Sequence, residues 1–198
     1  MTRPNSSDRR PRLLLHVCCA PCTTSPVERL KDEYEITAFF YNPNIYPREE
    51  YYRRLEETRK YCGEIGVQLA EGPFDPERWV ELTRGLENEP EGGERCRICI
   101  EMRLDTAARY ARENGFDVVC TVLTVSPHKN ARMVEEIGKS VGEREQIVFL
   151  PQDFKKKDGF RRSIELSHVH ELYRQDYCGC EPSLRESEKR RAEKKSKK

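Results

Sequence analysis

Apolar and β-branched residues gather into five short runs, 12–17, 36–41, 67–69, 117–122 and 146–150. Runs of that length and make-up predict buried strands, and the longer stretches between them predict helices at 24–33, 48–65, 96–114, 129–141 and 160–174. A shorter helix is expected from Asp75, where Asp-Pro-Glu offers an N-cap and a proline at the first helical position. Asn114-Gly115 offers a stop ahead of the fourth run. Such alternation predicts an α/β fold in which a doubly wound, mostly parallel sheet carries helices on both faces, in one domain over 12–184. Residues 1–11 read as a disordered lead-in, and 185–198 as a charged basic tail.

Composition narrows the setting. Hydrophobic and charged residues each make up 36% of the chain, and no apolar run approaches the roughly 18–20 residues that span a bilayer. Leu13, Leu14 and Leu15 form too short a stretch for a signal peptide. A cytoplasmic protein with no membrane partner is therefore expected. The net charge of +1 conceals a basic end, because 186–198 holds seven Lys or Arg against three Glu. That end suits nucleic-acid phosphates, and equally a solvated tail.

Cysteine changes the picture most. There are nine, an odd number, in a chain expected to live in a reducing compartment, so a disulfide framework is disfavoured. Seven are grouped: Cys18-Cys19 with Cys22, the C-x-x-C of Cys96 and Cys99, and the C-x-C of Cys178 and Cys180; Cys62 and Cys120 stand alone. Cys18 directly follows the first run, where ligands gather in doubly wound folds, and no glycine-rich phosphate loop occupies that place. Cys96 and Cys99 share a face at the start of a helix, whose N-terminus favours thiolates. Ala20-Pro21 supplies a break that lets Cys18 and Cys19 share a centre. Two sulfurs from each end make four thiolates, enough for a [4Fe–4S] cluster or a structural zinc, with Cys22 able to replace Cys18. A ring closed between Cys178 and Cys180 across Gly179 would be strained and therefore reactive; as thiols, the two are further candidate metal ligands. The stretch from Tyr41 to Pro47 and the Tyr51-Tyr52-Arg53-Arg54 segment offer groups that read or stack on unpaired bases, as well as ordinary packing.

Taken in order, LLLHVCCAPC, FFYNPNIYPREEYYRR, ERCRICIEMRL, TVLTVSPHKN and YCGCEPSL resemble the QueH family of epoxyqueuosine reductases, from about Leu13 to Leu184. The resemblance implies an adenine-nucleotide α-hydrolase-like, Rossmann-like fold with a metal site at the carboxyl end of the strands. It implies an oxidoreductase that converts epoxyqueuosine to queuosine at the wobble position of a tRNA anticodon loop, fed by an external low-potential electron donor. Cys18, Cys19, Cys96 and Cys99 are then the ligands of a [4Fe–4S] cluster, and Cys178 and Cys180 a redox-active catalytic pair. His16, Asp176 and Tyr177 become candidate proton donors, and an additional iron has a place at Cys22 or the C-x-C pair. The rival reading is a zinc-stapled RNA-binding module without catalysis.

Overall fold

The structure, a computed structural model, describes residues 9–196, so most of the expected lead-in lies outside the described residues. Five strands form a single sheet: β1 Arg12–Val17, β2 Glu35–Phe40, β3 Gln68–Glu71, β4 Val118–Thr121 and β5 Val148–Phe149. Their order is β3-β2-β1-β4-β5, and every pairing is parallel. The expected doubly wound α/β architecture is thus present.

β1 is central because its sequence is apolar on both faces: Leu13, Leu14, Leu15 and Val17 are completely buried. Leu13, Leu15 and Val17 pack toward α1 (Ala20–Leu30) and α2 (Arg48–Glu64), with Phe160 of α6 (Gly159–Val169) on the same side. Leu14 faces the other way, into the core made by α4 (Glu94–Glu113) and α5 (Ala131–Glu145). The short α3 (Pro76–Leu82) starts where Asp75-Pro76 places it. The Asp75 side chain caps nothing, and its Oδ2 accepts instead from the Tyr41 hydroxyl at 3.3 Å.

Two departures bear on the site. The expected break at Ala20-Pro21 is the start of a helix: α1 begins there, four residues earlier than expected, because proline suits the first turn of a helix. Cys22 is therefore a helical residue. The charged tail is a helix as far as it is described, α7 (Glu181–Ser196), rich in Glu, Lys, Arg and Ala. Arg185 pairs with Glu181 one turn back, and Arg191 anchors the helix to Asp176 through Nε at 2.7 Å. No helix among the described residues is long and apolar enough to cross a membrane.

Candidate active site

Strand order reverses between β1 and β4, and the crevice beyond their carboxyl ends is where such folds bind ligands. Cys18, Cys19 and Cys22 line the exit from β1. Cys19 is extended (φ −175°, ψ 161°) and the next residue is helical, so the chain turns between them. The turn gathers the Sγ atoms of Cys18, Cys19 and Cys22 within 4.8 Å of one another, with Cys18 and Cys19 3.7 Å apart. Hydrogen bonds from Cys18 and Cys22 hold Cys19 well below the usual thiol range, helped by the nearby Arg54 charge. Their cost falls on the donors: Cys18 is pushed up to about 12, mainly by its bond to Cys19, and Cys22 rises as well. The Cys19 sulfur also accepts from Gln175 Nε2 at 2.9 Å.

A second group of sulfurs meets across the crevice. Cys96, Cys99 and Arg103 sit at i, i+3 and i+7 of α4, on one face. Cys96 and Cys99 line a cavity together with Cys178 and Cys180. Trp79 and Arg95 line it too, and Trp79 Nε1 and Arg95 Nε and Nη2 are buried donors with no partner. Donors left unpaired in a protein interior are costly and rare. Cys96 and Cys99 beside such donors suit an anionic group rich in acceptor atoms, of which a thiolate-ligated iron–sulfur cluster is one. Burial pushes Cys99 up, against the pull of the Arg103 charge, and pushes Cys180 up to about 11 with help from Cys178. Lys129 also lines the cavity. Burial would lower it, but the sulfurs of Cys178 and Cys96 and the Glu91 carboxylate, 2.8 Å from Nζ, keep it protonated.

The C-x-C segment is held firmly. Gly179 has φ +137°, and a Cβ there would lie 3.1 Å from both Asn44 Nδ2 and Ile45 Cγ1. Its carbonyl accepts from Tyr46 N at 2.8 Å. Arg54 is buried, binds Glu50 through Nε at 2.7 Å, and donates to the Cys178 carbonyl at 3.0 Å. The 41–47 segment and α2, read from sequence as base-reading or packing elements, thus buttress the cysteine loop.

A larger cavity of about 210 Å³ adjoins the first, and the two share Arg103, Lys129 and Cys178. Cys18, Cys22 and Gln175 also line it. The four sulfurs expected to act together therefore come from two groups: Cys18 and Cys19 associate with Cys22, whereas Cys96 and Cys99 associate with Cys178 and Cys180. Two candidate proton donors fail on their surroundings. His16 is completely buried; its Nε2–H donates to the Tyr41 carbonyl at 3.2 Å and its Nδ1 accepts from the Thr121 hydroxyl at 2.9 Å. Burial first, and then the Arg103 charge, hold it neutral. Asp176 is kept a carboxylate by Arg191. Tyr177 lines the larger cavity, is pushed up to about 12 by burial, and donates to the Tyr46 carbonyl at 2.6 Å.

Sequence reasoning missed Arg103, Gln175 and the buttressing role of Arg54. The i+7 spacing of Arg103 from Cys96 was a usable signal; Gln175 offered none, because a loop amide 156 residues from Cys19 carries no periodicity.

Thiols crowded beyond a sheet's carboxyl edge, without a phosphate loop, mark a protein of thiol-based metal or redox chemistry on a doubly wound scaffold. Within that class the chain belongs to the QueH family: the family's model, described as epoxyqueuosine reductase QueH, matches residues 13–186. Epoxyqueuosine reductase QueH of Streptococcus pyogenes is 45% identical over 177 residues, covering 86% of this chain and 69% of that one. The Thermotoga maritima protein of the same name is 35% identical over 184 residues, covering 91% and 94%. In fold, the chain is similar to the U34-tRNA thiolase NcsA of Methanococcus maripaludis, solved with its [4Fe–4S] cluster. The TM-score is 0.55 at 14% identity, with 85% of this chain and 60% of that one covered. A predicted tRNA methyltransferase subunit from Methanocaldococcus jannaschii gives 0.52 at 12% identity.

Proposed function

We propose that the protein reduces epoxyqueuosine to queuosine at the wobble position of tRNA, using a [4Fe–4S] cluster held by Cys18, Cys19, Cys96 and Cys99. The conversion takes up two electrons and two protons, breaks both carbon–oxygen bonds of the epoxide, and leaves water and an alkene. When bound, the cluster supplies electrons singly at low potential, drawn from an external donor. Cys178 and Cys180 form the dithiol that stores an electron pair, held by Gly179 and Arg54. Lys129, kept protonated beside Cys178 and Cys96, adds positive charge to the crevice.

The observation that carries this reading is the joined pair of cavities, lined by thiols and by buried donors without partners. Cys22 favours one addition: its sulfur, within 4.8 Å of those of Cys18 and Cys19, supports an additional iron beside the cluster. Anaerobic purification with iron, sulfide and zinc quantification tests the proposal. About four irons and four sulfides per chain are expected, and surplus iron supports the additional site. Zinc alone, with no visible chromophore, favours the RNA-binding module.

A further inference from the structure

Arg103 is a buried cation whose known contacts do not account for it. It is 2% exposed and makes no ion pair with a carboxylate among the described residues. Nη2 donates to Asn42 Oδ1 at 2.5 Å, and Asn42 is fixed in turn by its bond to the Val17 carbonyl at 2.9 Å. Nε is buried without a partner. Burying a guanidinium with an idle donor is expensive unless something absent from the polypeptide completes it. Arg103 lines both cavities.

Gln175 is its complement. Its amide nitrogen is committed to the Cys19 sulfur at 2.9 Å, which leaves Oε1 as the acceptor, and Oε1 is buried with no partner. Gln175 lines the larger cavity alongside Arg103, Cys18 and Cys178. The two residues that carry this unpaired donor and this unpaired acceptor thus line one chamber of about 210 Å³, enough for a small carbocycle.

We propose, on the basis of the reductase reading above, that Arg103 and Gln175 grip the epoxide-bearing ring as a donor–acceptor pair. Arg103 Nε–H donates to the epoxide oxygen, and Gln175 Oε1 accepts from a hydroxyl or amine hydrogen of the same substrate. Arginine keeps its proton, so its part is to stabilise negative charge on the oxygen as the carbon–oxygen bond opens; the protons that complete water come from elsewhere. The rival role for Arg103 is a counter-charge to the thiolates, since its charge already acts on Cys18 and Cys99.

The test compares anaerobically loaded wild type, Arg103→Lys, Gln175→Leu and Gln175→Glu on tRNA bearing epoxyqueuosine. Iron and sulfide content and the midpoint potential of the cluster are measured for each. Arg103→Lys keeps the charge and is expected to lower kcat roughly 100- to 1000-fold with cluster content and potential unchanged. Gln175→Leu is expected to raise KM about 10-fold. Gln175→Glu, which retains an acceptor oxygen but not the N–H on Cys19, is expected to restore KM. Wild-type turnover in Arg103→Lys, or lost iron or a shifted potential in that variant, overturns the Arg103 assignment. Equal defects in Gln175→Leu and Gln175→Glu make Gln175 a support for Cys19 and overturn its assignment. Wild-type protein that leaves the epoxide intact overturns the reductase reading itself, a result distinct from all of these.

Discussion

At the scale of single residues, the cysteines divide by their surroundings as well as by their spacing. Cys178 is half-buried, and its backbone carbonyl is held by Arg54. Cys178→Ser is expected to retain iron and sulfide while abolishing turnover; loss of the cluster would make Cys178 a ligand. Gly179→Ala strains a backbone at φ +137° and brings a Cβ to 3.2 Å from Arg54 Nη1. Destabilisation of about 1–3 kcal/mol is expected in urea unfolding, with turnover lost as the loop shifts. Cys62 and Cys120 are different. Burial alone pushes Cys62 up to about 11, and burial pushes Cys120 up to about 12. Both belong to the core on the α1 and α2 side of the sheet. Cys62→Ala and Cys120→Ala are expected to leave iron content unchanged and to cost on the order of 1 kcal/mol each. Iron loss in either would contradict their role as packing residues.

At the scale of elements, the β5 edge depends on a close helix–strand contact. A Cβ on Gly138 of α5 would lie 2.2 Å from the Phe149 ring. Gly138→Ala is expected to destabilise the fold by about 1–3 kcal/mol, read as a lower urea midpoint, while leaving the thiol groups intact. Most elements were legible in the sequence. β1 was read at its observed bounds because a buried parallel strand is apolar throughout, and β2 was read within one residue. β5 was overextended, since only Val148 and Phe149 pair with β4. The fourth run was read to Val122, which instead enters a short 3-10 turn, Val122–Val125. Helix ends are less legible: α1 starts four residues before 24, α5 runs four past 141, α6 stops five short of 174, and the charged tail is helical as far as it is described, in α7. A helix with almost no apolar face leaves no periodic mark, so its docking through Arg191 and Asp176 was beyond sequence reading.

At the scale of the whole molecule, the sheet brings together residues scattered from Cys18 to Cys180. The strand reversal between β1 and β4 puts the Cys18 loop and Lys129 on one crevice. Helix α4 then adds Cys96, Cys99 and Arg103, and the segment before α7 adds Gln175, Cys178 and Cys180. Sequence spacing identified three thiol groups but not which of them meet, because pairing across a crevice is a tertiary property. α7 brings Arg190 to the rim of the larger cavity, an exposed cation suited to an RNA phosphate. Arg190→Ala is expected to reduce the slope of log affinity for tRNA against log salt by about one. An unchanged slope would remove Arg190 from the binding surface. The most direct measurement is nucleoside mass spectrometry of tRNA bearing epoxyqueuosine, after incubation with the anaerobically loaded protein and a low-potential reductant. Conversion to queuosine, with loss of one oxygen atom, is the expected result. Intact epoxyqueuosine in the presence of a fully loaded, reduced cluster would contradict the assignment of this chain as a reductase.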